Sequence, residues 1–352
     1  MPNPLLRLRN SAGNPINSDD DSGTGSDAQI IYGASVSGTY YLAAEAFNAA
    51  GSGTYTLSAV EFGQDLYSVY YPLMTNSQEA LVVDRIVNGT LTYHQIGGLG
   101  PKWAFAGSGF LLGADRPAFL IHNTTGSVVV GEVSSGNAVY TTIGGLGPEW
   151  TFEGNGDFLG GSQQDEFLIH NTAGALVVGQ VINGLAAYTT IGGIGLEWEF
   201  KGNGDFLAGS QGDEFLIRNT AGSVVIGDVV SGVAAYTTVG GLGPEWQFKG
   251  IGDFLGNGHD QFLIYNTGDN RLVIGDGSSN TLTFTDIGQI GSQWEFVGTG
   301  NYIGDAKDDF FVRNTNGTLA VGSVANNAFN LTTVGAVGPE WQFRNTDSAL
   351  LP

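Results

Sequence analysis

The sequence predicts an all-β chain assembled from internal repeats, and three observations carry that prediction. Six tryptophans, Trp103, Trp150, Trp198, Trp246, Trp294 and Trp341, stand 47, 48, 48, 48 and 47 residues apart, and the chain has no others. Residues 150–197 and 198–245 align without a gap and agree at 33 of 48 positions. Each unit holds four short runs rich in Val, Ile, Tyr, Phe and Thr between Gly, Asn, Ser or Pro, and none sustains an amphipathic helical period. A fixed period in this range means units that cannot bury their faces alone. Four strands in ~40–50 residues make the blade of a β-propeller.

Residues 68–98 match a repeat without its first strand, with runs at 71–76, 80–87 and 91–98. Five whole units follow. In the one that opens at Trp198, strands are expected at 198–207, 214–218, 223–230 and 234–239. Asn-x-x-Gly at 123–126, 171–174, 219–222 and 314–317 marks a hairpin in each case, because Asn and Gly tolerate positive φ. Gly-Gly at 144–145, 192–193 and 240–241 ends the fourth strand. Residues 341–343 match a first strand alone. That strand can complete the three at 71–98, so the expected fold is a six-bladed propeller over 66–344, closed by both chain ends and free of open edges. A short tail, 345–352, follows. A Trp side chain buries ~150–250 Å². One per blade suits packing between blades; the rival reading is a ring of sugar-stacking aromatics.

Composition narrows the functional classes. Twelve Lys and Arg face 34 Asp and Glu, a net charge of −22. Phosphate recognition needs clustered cations, so nucleic acid is excluded as a partner class, and anionic membrane surfaces are disfavoured. No apolar run is long enough to span a membrane as a helix. Residues 1–10 lack the apolar core and cleavage site of a signal peptide. Cysteine is absent, so no disulfide braces the fold.

The segment GNGDFLGGSQQDEFLIHNTAG at 154–174 resembles the FG-GAP and VCBS repeats of bacterial extracellular proteins and integrin-type propellers. The resemblance recurs at every blade junction. It implies a propeller used for adhesion, for sugar binding or as a non-catalytic part of an enzyme. Residues 1–62 resemble a second module, the bacterial pre-peptidase C-terminal β-sandwich. The matching segments are LLRLRNSAGNPINSDDDSG (5–23), AQIIYGA (28–34), SGTYYLAAEAF (37–47) and GSGTYTLSAV (51–60). Strands that precede LLRLRN in that family are missing, so a partial sandwich within a longer secreted polypeptide is expected.

The FG-GAP-like loops imply calcium, a hard cation that takes six to eight oxygens. The first loop position is Asp157, Asp205, Asp253 and Asn301, and the last is Asp165, Asp213, Asp260 and Asp308. The third position is Leu159, Leu207, Leu255 and Ile303, which carry no ligating atom. Two outcomes stay open: a weak calcium site, or carboxylates that cap turns. The best metal candidates are Asn301, Asp305, Asp308 and Asp309, then Asp253, Asn257 and Asp260.

A second candidate is the varied position of the F-L-I-x-N strand: Thr75, His122, His170, Arg218, Tyr265 and Arg313. These polar groups suit shallow pockets for a sugar or carboxylate; alternatively they drift freely at a solvent-facing turn. No GxSxG, HExxH or P-loop occurs, and no insertion breaks the repeat to house catalysis. The expected role is a non-catalytic extracellular binding or adhesion module for a glycan or a protein surface. The alternatives are an accessory domain of a secreted hydrolase or peptidase, or a structural spacer.

Overall fold

The computed structural model describes residues 4–20, 28, 30, 39–47, 73–87, 89–113, 116–134, 136–160, 164–207, 210 and 212–344. Among these the chain is all-β, without helices. The segments at 28–34 and 51–60 that resemble the pre-peptidase module, and the tail 345–352, lie outside or largely outside the described residues. The chain divides into two compact units, Met1–Gly63 with Ser134–Gly136, and Gln64–Val133 with Asn137–Pro352.

The described part of the first unit is one antiparallel sheet of β1 (Pro4–Arg9), β2 (Pro15–Asp19) and β3 (Tyr41–Ala46), in the order β2-β1-β3. Arg7 Nε donates to Glu45 Oε2 across β1 and β3 at 3.2 Å.

Among the described residues the second unit holds six four-stranded antiparallel sheets. The first contains β4 (Leu73–Asn76), β5 (Ala80–Val87) and β6 (Thr90–Gly98). The second runs β7 (Trp103–Gly109), β8 (Ala118–Asn123), β9 (Ser127–Ser134) and β10 (Asn137–Gly145). The third runs β11 (Trp150–Gly156), β12 (Glu166–Asn171), β13 (Ala175–Ile182) and β14 (Leu185–Gly193). The fourth runs β15 (Trp198–Gly204), β16 (Glu214–Asn219), β17 (Ser223–Val230) and β18 (Val233–Gly241). The fifth runs β19 (Trp246–Gly252), β20 (Gln261–Asn266), β21 (Arg271–Asp276) and β22 (Thr283–Gln289). The sixth runs β23 (Trp294–Gly300), β24 (Asp309–Asn314), β25 (Thr318–Ala325) and β26 (Ala328–Ala336). The final strand, β27 (Trp341–Phe343), pairs with β4, so the first sheet reads β27-β4-β5-β6. Repeated four-stranded meanders of this kind form a propeller-like arrangement.

The core lies between sheets. One cluster joins Ala106, Leu120 and Val130 of the second sheet to Phe152, Phe167 and Ile169 of the third. Equivalent clusters join each consecutive pair through to the sixth sheet. Another joins Val297, Phe311 and Val321 of the sixth to Met74, Leu91 and Phe343 of the first, and a last one joins the first to the second. Each Trp is half-buried against the rim of one of these clusters.

Two irregularities set the strand faces. A bulge interrupts the first strand of five of the sheets, as between Phe152 and Gly154, and the strand that opens at Trp198 ends at Gly204 rather than at the expected 207. Another, near Leu176/Val177, falls opposite Ile191 on the mostly exposed fourth strand and turns that one side chain inward. A bulge re-aims a side chain in this way. The hairpins turn as their chemistry demands: Asn123 Oδ1 accepts from the amides of Thr125 and Ser127, and Gly126 has φ +91°.

Candidate functional site

The loop between first and second strands carries the carboxylates expected to bind calcium. Its geometry is that of a staple between sheets. Asp213 Oδ2 accepts from the Asp157 amide at 2.8 Å, and the Asp213 amide donates to the Asp157 carbonyl at 2.8 Å. The same reciprocal pair links Asp260 to Asp205 and Asp308 to Asp253. Asp165 makes it with Phe110, showing that the first position needs no carboxylate for this role. In each case the last carboxylate of one loop reaches back to the preceding sheet and lies over a glycine. A Cβ on Gly204 would stand 2.3 Å from Asp260 Oδ2.

The residue after each final Asp closes the loop from within. Glu214 Oε2 accepts from the amides of Phe206 and Leu207, and Asp309 Oδ2 from those of Tyr302 and Ile303. Glu166 does the same for Leu159, and Gln261 for Leu255. All four side chains are buried. Burial pushes Asp260 up to about 8, and Glu166, Glu214 and Asp309 to about 7, against backbone hydrogen bonds that act in the opposite direction.

The donor set does not fit calcium. Asp253 Oδ1 accepts from the amides of Gly256 and Asn257, and its Oδ2 from Gly258. Asn301 Oδ1 takes the Gly304 amide while its Nδ2 donates to the Asp305 carbonyl. Asp305 Oδ1 takes the Lys307 amide. Asn257 and Gln261 are bonded to each other, beside His259. These oxygens turn onto their own loop or the neighbouring sheet. Among the described residues no group of three or more His, Asp or Glu side chains is placed to hold a metal ion.

The varied strand position lies at the sheet junctions, where the six residues are held separately. Arg218 donates to the carbonyls of Leu242, Gly243 and Trp246, and Arg313 to those of Gly338 and Trp341. Both guanidinium groups thereby clamp the link into the next sheet. His122 and His170 pack against Phe152 and Phe200, and burial lowers the pKa of each. Thr75 is buried, with Arg344 Nε on its hydroxyl at 2.9 Å. Tyr265 donates to Asn270 Oδ1, and the Lys249 ammonium lies over its ring at 5.9 Å.

The residues that the sequence did not single out are on the fourth strands. Tyr93, Tyr140, Tyr188, Tyr236 and Phe284 occupy one equivalent position and are 40–50% exposed. Tyr188 is paired with Gly179 and Tyr236 with Gly227. The missing side chain of that glycine lets the second-strand Phe slide across to meet the tyrosine. Phe119–Tyr140, Phe167–Tyr188 and Phe215–Tyr236 meet edge-on at 6.0, 6.0 and 6.1 Å. The hydroxyls of Tyr140, Tyr236 and Tyr93 donate to the carbonyls of Gly98, Gly193 and Ala336 on the neighbouring fourth strand. The signal was present as a Tyr at constant offset from that glycine, but it resembles an ordinary strand residue until the register is known.

Comparison of the sequence with protein-family models and with curated proteins finds no match. No described helix is long and apolar enough to cross a membrane.

Proposed function

We propose that the six sheets are blades of one closed propeller of the FG-GAP and VCBS kind. We propose further that it is a non-catalytic extracellular module that binds glycans on its fourth-strand aromatics. The observation that carries this reading is the set of five half-exposed rings at equivalent positions. Closure is supported by the pairing of β27 with β4 and by the clusters that join the sixth sheet to the first and the first to the second. The apolar C–H face of a sugar ring complements the negative face of an aromatic ring. A ring held by a Phe edge and a tied hydroxyl loses little freedom when a ligand stacks on it. Repetition around the propeller adds avidity for a polymer that spans two blades. A net charge of −22 disfavours polyanionic sugars and leaves neutral or amino-sugar polymers.

The test is a glycan array with paired variants. Tyr188→Phe should keep binding, and Tyr188→Ser combined with Tyr236→Ser should weaken it at least tenfold while the fold persists by circular dichroism. Undiminished binding by the double variant would remove the rim from consideration. A protein partner is the second reading. It is favoured by the exposed aliphatic hairpin tips of the third and fourth sheets, Ile182 and Leu185, then Val230 and Val233. Leu185→Asp with Val233→Asp should abolish that kind of binding and spare glycans.

A further inference from the structure

The fourth residue counted from each tryptophan repeats a position but not a side chain: Ala106, Glu153, Lys201, Lys249, Val297 and Arg344. Most of the charged members are matched within the structure. Lys201 Nζ donates to Glu199 Oε2 at 2.8 Å. Arg344 donates to Thr75 Oγ1 at 2.9 Å and also to Gln342 Oε1. Glu153 Oε1 stands 4.0 Å from His170 Nδ1. Lys249 is the exception. The place of Glu199, two residues before the lysine, is taken in β19 by Gln247. Among the described residues no hydrogen bond or ion pair reaches the Lys249 ammonium. It lies instead 5.9 Å from the ring centre of Tyr265 in the fifth sheet and 5.8 Å from that of Phe296 in the sixth. Ring faces attract a cation at about 6 Å, but they supply no oxygen for its three N–H donors. The residue is half-buried. Burial lowers its pKa, and Glu295 acts in the opposite direction from beyond ion-pair distance. Glu295 itself is exposed and paired in register with Arg313.

We propose that Lys249 anchors a binding site for a hydroxylated monocarboxylate, of the kind a uronic acid carries, at the junction of the fifth and sixth sheets. The equivalent lysine of the fourth sheet shows what is missing: a carboxylate brought up from two residues away along the strand. A ligand carboxylate supplies that charged acceptor, and hydrogen bonds between two charged groups are shorter and stronger than neutral ones. Gln247 occupies the place from which Glu199 reaches Lys201, so its exposed amide is in range to donate to the same ligand. Glu295 offers an acceptor for a ligand hydroxyl and disfavours a second negative charge. The site thus selects one carboxylate with hydroxyls beside it. It is separate from the fourth-strand aromatics and does not rest on their role. The net charge of −22 repels anions at long range, but 0.15 M salt screens exposed charges beyond about 8 Å, leaving the local groups to decide.

Calorimetric titration of the full chain in 0.15 M salt tests the site, with methyl galacturonoside as the probe and methyl galactoside as its neutral counterpart. The wild-type chain should bind the uronoside at one site and the galactoside at least tenfold more weakly. Gln247→Glu, which installs the counter-ion of the fourth sheet, should weaken uronoside binding about tenfold or more, the loss expected for a hydrogen bond to a charged group. Lys249→Met should do the same, and Gln247→Glu decides the matter if that variant does not fold. Lys102→Met removes the same charge from an exposed turn and should bind as the wild type does. Equal affinity of the wild type and Gln247→Glu would overturn the proposal. So would a loss in Lys102→Met as large as that in Lys249→Met, equal binding of the two sugars, or no uronoside binding by the wild type.

Discussion

Gly227 shows how one residue without a side chain organises a whole row. A Cβ there would lie 2.2 Å from the ring of Phe215, which crosses the glycine to reach Tyr236. Gly227→Ala should destabilise the fold by about 1–3 kcal/mol, the range for overpacking a close-packed interior. Urea unfolding of Gly227→Ala, Phe215→Leu and the double variant checks the cause. A coupling of about 0.5–3 kcal/mol is expected if the two side chains compete for one space, whereas strictly additive effects would place the strain elsewhere. The sequence displayed the Phe, the Gly and the Tyr at constant spacing. It did not display their juxtaposition, because three different strands supply them and the register decides which residues meet. Asp84, buried opposite Tyr93 in the first sheet, was hidden for the same reason: it reads as an ordinary acidic strand residue until its pairing partner is known.

At the scale of the element, the loops between first and second strands have their charged groups turned to structural use. Asp260, Glu214, Glu166 and Asp309 are all raised by burial, to about 8 or about 7. The ordinary value for such groups is about 4. The folded state therefore keeps protons that the unfolded chain releases between about pH 4 and pH 8. Their contribution to stability is full below about pH 4 and lost as pH rises through 7 to 8. The urea midpoint should be higher at pH 5 than at pH 8, and Asp260→Asn, which keeps an acceptor oxygen, should flatten that slope. A midpoint that climbs with pH would contradict the burial of these carboxylates. Because their oxygens accept backbone amides, millimolar calcium and a chelator should give the same melting temperature; a ligand selective for the folded state would raise it. The spacing of these acids was legible in the sequence. Their partners were not, because each final Asp bonds to the loop of the preceding repeat, about 55 residues away along the chain.

For the whole molecule, the period of tryptophans made the repeat legible, and the incomplete match at 68–98 pointed to the strand that would complete it. Periodicity served so well because every unit buries its face against the next, so the same apolar pattern must recur. The first sheet differs from the rest in drawing on residues separated by more than 260 positions, as in the Arg344–Thr75 hydrogen bond. It therefore tests whether the ends of the second unit act together. Ending the chain after Glu340 removes Trp341 and Phe343 from the cluster shared by the sixth and first sheets. It also takes away the Trp341 carbonyl that Arg313 clamps, and it leaves β4 as an unpaired edge. Truncating one large buried aromatic costs about 3–5 kcal/mol, a substantial part of the ~5–15 kcal/mol that stabilises a typical domain. Thermal unfolding of the shortened chain should begin well below that of the full chain. The exposed β4 edge should also promote association, seen as larger species by light scattering. A shortened chain that melts with the parent and stays monodisperse would mean that β27 contributes nothing to the unit, and the closed propeller would have to be abandoned.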